Sequence, residues 1–114
     1  MSSTEYKGIF GELTAALLLT IKGYIILARR YKTSCGEIDI IARKGDVIAF
    51  VEVKYRKSLT KCYEAIRNKQ IRRIVRASEI FLCKNPDLRS NFIRYDVILV
   101  PDWNLPKHIK NISM

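Results

Sequence analysis

The segment EIDIIARKGDVIAFVEVK, residues 37–54, decides the fold of this chain. It contains two runs rich in branched apolar residues, 37–43 and 47–54, and the turn sequence Lys-Gly-Asp between them predicts a β-hairpin. Glu52 and Lys54 are two residues apart, so both project from the same face of the second strand. Charged groups at the end of an apolar strand are costly to desolvate unless something pairs with them.

The length of the hairpin loop sets which residues of the two strands face each other. A two-residue loop at 45–46 places Asp39 directly opposite Glu52, about 5 Å apart at Cβ, and Glu37 opposite Lys54. A loop one residue earlier leaves Asp39 diagonal to Glu52 on the same face. A three-residue loop would put these two carboxylates on opposite faces.

Two neighbouring carboxylates repel each other unless a cation lies between them. Mg²⁺ is typically held by one or two carboxylates together with waters and phosphate oxygens. Asp39 and Glu52 could supply the carboxylates, and a substrate could supply the phosphate oxygens. The other interpretation is a surface ladder of salt bridges, such as Glu37 with Lys54, in which Asp39 is solvated. Spacing alone does not choose between the two.

The sequence before the hairpin predicts a helix and a strand. A capping box of Ser2 and Glu5 would begin the helix, and Lys22-Gly23 would end it. A strand is predicted at 24–31. The apolar side chains at three- and four-residue steps that predict an amphipathic helix are Phe10, Leu13, Leu17 and Ile21. Gly8 and Gly11 would allow the helix backbone to approach a phosphate chain, although a frayed first turn explains them equally well.

After the hairpin, one long helix is predicted from residues 58–60 to Asn85-Pro86, and a strand at 94–100 ends at Pro101. The apolar stripe of that helix is Ile71, Ile74, Val75, Ser78, Phe81 and Leu82. The tail, 101–114, has no clear periodicity. The order αβββαβ predicts an α/β fold: a three-layer α/β/α sandwich around a four-stranded mixed sheet.

Composition limits the class of protein. A chain of 114 residues forms one domain, here 1–114 with a core at about 5–100, and its net charge of +10 favours a polyanionic partner over a merely basic soluble protein. Three scattered cysteines without a CxxC pair fit a reducing compartment. The start has no signal-peptide character, and the apolar stretch 15–21 is too short to span a membrane. These features predict a cytoplasmic protein.

A second cluster of charge lies on the long helix. Its cationic residues fall at i, i+3, i+4 and i+7: Lys69, Arg72, Arg73 and Arg76. Most charge runs are solvated faces, but like charges at this spacing repel each other, which favours a phosphate backbone as partner. No feature of the stripe reads base edges, so binding would be structure-dependent or non-specific.

Asp39 followed by Glu52-Val53-Lys54 after a hairpin resembles the core motif of the PD-(D/E)XK nucleases, which have a restriction-endonuclease-like fold. Further matching motifs make the chain similar to the YraN-like family of small bacterial proteins within that superfamily, related in core to archaeal Holliday-junction resolvases. The motifs are Gly8-Ile9-Phe10-Gly11-Glu12, Gly36-Glu37-Ile38-Asp39, Phe50-Val51-Glu52-Val53-Lys54 with Arg56, Lys69, and Arg94-Tyr95-Asp96-Val97. Arg30 stands where the family favours asparagine.

The resemblance implies an endonuclease that hydrolyses DNA with Mg²⁺ or Mn²⁺. Asp39 and Glu52 would hold the metal, and Glu12 would be an additional metal or water ligand. Lys54 would orient the attacking water and offset phosphate charge, and Glu37 could support Lys54 from behind. Action on symmetric four-way junctions would call for a homodimer, although no patch in the sequence indicates one.

Two other functions remain open: a nucleic-acid-binding module that does not cut, and an interaction subunit of a DNA-processing complex. Asp96, beside Arg94, is predicted to form a structural ion pair. His108 is the only histidine and lies in the tail, so histidine-based nucleases and catalytic triads lack their parts.

Overall fold

The computed structural model describes residues 3–89 and 91–112, with side chains from residue 8 onward. In chain order the elements are α1 (Ser3–Ile21), β1 (Ile25–Thr33), β2 (Gly36–Lys44), β3 (Val47–Arg56), α2 (Leu59–Glu64), α3 (Asn68–Lys84), a 3₁₀ turn (Pro86–Leu88), β4 (Phe92–Pro101) and β5 (Lys107–Ile109). The capping box predicted from Ser2 and Glu5 lies outside the described residues and side chains. In the part of the chain described, no helix combines the length and hydrophobicity needed to cross a membrane.

The five strands form one mixed sheet in the order β1-β2-β3-β4-β5. Lys44 pairs with Val47, so of the alternatives that the sequence left open the hairpin has the two-residue loop at 45–46. β1, β2 and β3 are antiparallel, and β4 runs parallel to β3 after the crossover through α2 and α3. A parallel pair requires such a crossover because its strands start at the same edge of the sheet. The prediction of a mixed α/β sheet is therefore confirmed.

Helices cover both faces of the sheet. The cluster under α1 consists of Ala15, Leu19, Tyr24, Ile40, Ala42, Ala49, Val51, Ile98 and Val100. The cluster under α3 consists of Ile38, Ile41, Ile48, Phe50, Ile74, Ala77 and Phe81. Alternate residues of β3 enter opposite clusters, so this strand is buried on both faces and reads as a continuous apolar run.

Two details of the predicted architecture are wrong. The sheet has a fifth strand, because the tail returns along β4 and pairs antiparallel with Val97–Leu99. A strand of three residues is too short to leave a periodic pattern. The long second helix is two helices: α2 has Ser58 as its N-cap and Ala65 as its C-cap, and α3 begins after Arg67. α2 packs over β4 through the buried Cys62.

The apolar stripe predicted for α1 faces solvent, whereas the apolar stripe of an amphipathic helix normally faces the core. Phe10, Leu13, Leu17 and Ile21 are 49–74% exposed. The helix packs on the sheet instead through a second apolar face that includes Ala15 and Leu19. Both faces are apolar, so helical periodicity alone could not identify the buried one.

Gly11 allows the close contact between α1 and β3. A Cβ atom at this position would lie 2.8 Å from the Cβ of Tyr55, closer than two carbon atoms can approach. Close packing of the helix on β3 thus explains Gly11, in place of the phosphate approach or frayed turn that the sequence left open. Gly8 has nothing within 4 Å of such a Cβ.

A polar network fixes β5 to the sheet. Asp96 on β4 is almost fully buried and forms the predicted ion pair with Arg94, at 2.8 Å. His108 Nε2 lies 2.8 Å from the same carboxylate, and the backbone N–H of Asn111 donates to it at 3.0 Å. The other ring nitrogen of His108 is 2.6 Å from the ammonium of Lys22. The only histidine is therefore a structural residue, with a side chain 3% exposed, that connects the tail to β4.

Candidate active site between the separating strands

The candidate site lies where β2 and β3 separate. Their pairing extends from Lys44–Val47 to Ile40–Val51, whereas β2 remains paired with β1 as far as Gly36. Asp39 and Glu52, predicted to be the next facing pair, lie at the point of separation. The N–H of Val53 consequently lacks a backbone partner in β2 and donates to Asp39 Oδ2 at 2.8 Å. This hydrogen bond fixes the Asp39 carboxylate between the strands.

The strand alternation changes at the position of Asp39. Ile38 and Ile41 are three residues apart yet pack in the same cluster under α3, although a regular strand would place them on opposite faces. On β1, Arg30 lies between the pairs Arg29–Ile40 and Tyr31–Ile38 and has φ of 51°. Asparagine adopts this left-handed conformation more readily than arginine, which gives a physical reason for the family preference noted above.

A cavity of about 240 Å³ opens at this point between the sheet and α3. It is lined by Gly36, Glu37, Asp39, Glu52, Gln70, Arg73 and Ile74. Gly36 has φ of 153°, and a Cβ there would lie 3.2 Å from the Cβ of Arg73, so glycine permits α3 to approach β2. The structure thus brings two predicted metal ligands and one predicted DNA-binding arginine to one concave surface.

The cavity concentrates negative charge. Burial raises the pKa of Asp39 to about 7, and the charges of Glu52, Glu12 and Glu37 act in the same direction, against the hydrogen bond from Val53. A bound cation would offset both the burial of this carboxylate and its repulsion by the neighbouring acids.

Lys54 lies behind Glu52 and does not line the cavity. Its buried ammonium is 3.1 Å from Glu52 Oε1 and donates to Gln70 Oε1 of α3 at 2.6 Å. Glu37 was the predicted partner of Lys54. It is exposed and lies opposite Lys32 of β1, and within the described residues it forms no ion pair with Lys54. Gln70 was not predicted. A polar residue next to Ile71 and one helical turn before Ile74 is the signal that could have indicated it.

Glu12 reaches the region from α1 without lining the cavity. Its carboxylate is 5% exposed, and Oε2 accepts a hydrogen bond from Arg30 Nε at 2.8 Å. The other oxygen, Oε1, is buried without a hydrogen-bond partner among the described residues, and Arg29 Nε is 3.9 Å away. A buried carboxylate oxygen without a partner is costly, so this atom marks a place for a cation or a water.

The predicted basic stripe lies on α3 beside the cavity. Lys69, Arg72, Arg73 and Arg76 are all exposed, and none of them forms an ion pair within the described part of the chain. The same helix buries Ile71, Ile74, Ala77, Ser78 and Phe81 on its other side. The stripe is therefore a free cationic surface that reaches the site through Arg73.

The model of the uncharacterised protein family UPF0102 matches residues 11–100, which include all of these positions. The chain belongs to the UPF0102 family. It is 47% identical over 105 residues to a UPF0102 protein of Mesorhizobium japonicum, covering 92% of this chain and 84% of the relative. UPF0102 proteins of Sinorhizobium medicae and Rhodopseudomonas palustris are 47% and 48% identical over 103 and 102 residues, covering 90% of this chain and 84% and 80% of the relatives. The resemblance to the YraN-like family is thus confirmed.

The raised pKa of Asp39 predicts a pH-dependent stability for this UPF0102 protein without metal. Between about pH 4 and pH 7 the folded state retains a proton that the unfolded chain has released, so the free energy of unfolding falls as pH rises through this window. The free energy of unfolding of Asp39→Asn, relative to that of the wild type, should therefore be higher at about pH 8 than at about pH 5. Urea unfolding in EDTA at both pH values measures the difference. An equal difference at both pH values would contradict a raised pKa of Asp39.

Proposed function

We propose that this protein is a metal-dependent endonuclease that hydrolyses phosphodiester bonds in DNA at branched or otherwise structured sites. The observation that carries the proposal is the cavity in which Asp39 and Glu52 face Arg73 of a cationic helix surface. Paired carboxylates suit a divalent cation, and the adjoining cations suit the phosphates that such a cation would activate.

The residues of the site fit Mg²⁺ or Mn²⁺. Asp39 and Glu52 would hold the ion, and the buried Oε1 of Glu12 is available as a further metal or water ligand. One or two carboxylates suffice for Mg²⁺ because waters and substrate oxygens complete its octahedron. The bound ion would polarise the scissile phosphate and acidify a bound water.

Lys54 would supply positive charge to the same reaction. Gln70 and Glu52 hold its ammonium in one position, so the charge needs no reorganisation when the phosphorus is attacked. From behind Glu52, where it does not itself line the cavity, its charge would orient the attacking water and offset the charge that develops on the phosphate. Gln70 acts through Lys54 and is a positioning residue in this scheme.

The cationic face of α3 would bind the phosphate backbone that leads into the cavity. Arginine and lysine contacts to phosphate position DNA without reading its sequence. Recognition would then depend on the shape of the DNA, which is consistent with branched substrates.

Neutralising Arg72, Arg73 and Arg76 together, each to Gln, should weaken DNA binding and flatten its salt dependence. Each lost phosphate contact lowers the slope of log K against log salt by about 0.9, because fewer counterions are released on binding. Fluorescence anisotropy with a labelled DNA over a range of salt concentrations measures the slope.

The matched control for this experiment neutralises Lys44, Lys107 and Lys110, three exposed lysines on β2 and at β5. It removes the same total charge from other parts of the surface. If both triple variants change the slope equally, or if neither does, the α3 stripe is only a solvated face.

The proposed activity is tested by incubating labelled flap, fork, nicked and four-way-junction DNAs with the purified protein in Mg²⁺, in Mn²⁺ and in EDTA. Cleavage with either metal and none in EDTA is the expected result. Calorimetric titration with Mn²⁺ gives a readout independent of activity: Asp39→Asn should weaken binding of the ion, whereas Asp46→Asn, in the exposed hairpin loop, should not.

A second candidate function is a nucleic-acid-binding module that does not cut. Two observations favour it: within residues 3–89 and 91–112 no three His, Cys, Asp or Glu side chains group closely enough to hold a metal, and Arg30 occupies Glu12. Binding to structured DNA without cleavage in either metal would make this the better account.

A further inference from the structure

The outer surface of α1 from Gly8 to Ile21 is apolar and carries no charged side chain. Phe10, Leu13, Leu17 and Ile21 form its exposed stripe. From Gly8 to Ile21 the only ionisable side chain is Glu12, which is buried on the side of the sheet. A helix with apolar residues on all sides is normally buried on all sides. In a protein of net charge +10 this surface is an exception that needs a covering partner.

Trp103 extends the stripe at the end where Phe10 lies. Its side chain is completely exposed, and its φ of 57° is a conformation that bulky residues seldom adopt. The preceding residue, Asp102, accepts a hydrogen bond from the hydroxyl of Tyr55, which anchors the turn to β3. The turn therefore presents an indole to solvent at a fixed place.

A groove adjoins this indole. It is about 510 Å³ in volume and is lined by Phe10, Thr14, Val100, Pro101, Trp103, Asn104 and Leu105. A protruding aromatic side chain and an apolar groove thus occur side by side on one surface. In an interface with two-fold symmetry the same patch serves both partners, so each copy must supply both the projection and the hollow.

We propose that α1 and the Trp103 turn form a homodimer interface, which a second copy of this chain covers about a two-fold axis. Phe10, Leu13, Leu17, Ile21, Trp103 and Leu105 together expose on the order of 900 Å², close to the roughly 800 Å² that each partner contributes to an interface of standard size. The absence of exposed charge on α1 between Gly8 and Ile21 limits like-charge repulsion between two basic molecules that meet here.

The same features disfavour the other occupants. Nucleic acid needs cations, and the exposed stripe of α1 has none. A helix that lies in a membrane surface keeps a charged face toward water, whereas the opposite face of α1 is packed on the sheet. The experiment below distinguishes a second copy of the chain from nucleic acid and from a membrane.

The experiment uses the intrinsic fluorescence of Trp103, the only tryptophan of the chain, together with sedimentation velocity. Both are measured on the full chain across the micromolar range in reducing buffer, because Cys35 and Cys83 are exposed. Sedimentation should shift from monomer to dimer with rising concentration, and the emission of Trp103 should shift to the blue over the same range as the indole leaves water.

Leu17→Glu is the test variant, because it places a charge at the centre of the stripe and away from the candidate active site. It should weaken dimerisation by about tenfold or more and abolish the blue shift. Phe92→Glu is the matched control: Phe92 is 72% exposed at the start of β4, outside the patch, and its replacement should change neither readout. Urea unfolding of each variant shows that the fold is retained.

Three results would overturn the proposal. One is a wild-type protein that stays monomeric throughout the concentration range. This outcome counts against the dimer even if the protein binds phosphatidylglycerol vesicles or DNA and Leu17→Glu weakens that binding. Another is a dimer that Leu17→Glu leaves intact while its fold is retained. The third is a dimer whose formation leaves the emission of Trp103 unchanged, which would place the interface elsewhere.

Discussion

Asp39→Asn and Glu52→Gln are each expected to abolish DNA cleavage, lowering the rate by about a thousandfold or more. Each carboxylate would help to hold the cation that activates the scissile phosphate, and loss of one removes several kcal/mol of transition-state stabilisation. DNA affinity without metal should stay the same or rise, because each substitution removes a negative charge from the cavity. Single-turnover cleavage and anisotropy in EDTA measure the two effects separately.

Exposed acids provide matched controls. Asp46→Asn in the hairpin loop and Glu79→Gln on α3 change the same chemical groups outside the cavity and should cut at the wild-type rate. Lys54→Ala is a different comparison, because it keeps Asp39 and Glu52 and removes the ammonium; the metal should still bind while turnover collapses. If Asp39→Asn cuts as fast as the wild type, the activity belongs to a contaminant or to another site.

Asp96→Ala is expected to have the largest effect on stability. The carboxylate is 2% exposed, and it receives hydrogen bonds from Arg94, His108 and the backbone of Asn111. Removing Asp96 leaves Arg94, whose side chain is only 19% exposed, without its counter-charge; breaking a fully buried pair costs about 3–5 kcal/mol, which is the upper limit here. In a domain with a total stability of about 5–15 kcal/mol, this brings the protein close to unfolding. Urea unfolding at neutral pH measures the loss.

The pH dependence of this variant provides a further check. Burial tends to raise the pKa of Asp96, but the hydrogen bonds from His108, Arg94 and Asn111 outweigh it and hold the pKa below its usual range. Its contribution is therefore present above about pH 4 and is lost as acid protonates the carboxylate. The difference between wild type and variant should shrink on acidification. Asp46→Ala, which removes an exposed carboxylate, should cost little at any pH; a small effect of Asp96→Ala at neutral pH would contradict the network's role.

The sequence by itself determined the centre of the fold. The turn residues and the period of two predicted the hairpin and limited its register to a few alternatives, of which the structure has the one from Lys44–Val47 to Ile40–Val51. The apolar run of β3 and the order of elements determined a mixed sheet with helices on both sides. These features follow from local backbone geometry and from contacts between neighbouring segments, so a single sequence contains them.

Only the tertiary structure decided the details of the site. The two-residue loop predicted that Asp39 and Glu52 would face each other, but no local pattern predicted that the strands separate there or that Val53 donates to Asp39. Gln70 as the partner of Lys54 joins residues sixteen positions apart on different elements. Arg30 has a left-handed backbone and donates to Glu12, and no periodicity predicts either feature.

The same division explains the predictions that were wrong. Helical periodicity shows which residues of α1 share a face, but it does not show which face the sheet covers, and α1 has two apolar faces. The fifth strand of three residues is fixed by the buried bond between His108 and Asp96 rather than by a pattern of its own. Periodicity determines which side chains lie together on one element, whereas long-range packing decides what they lie against.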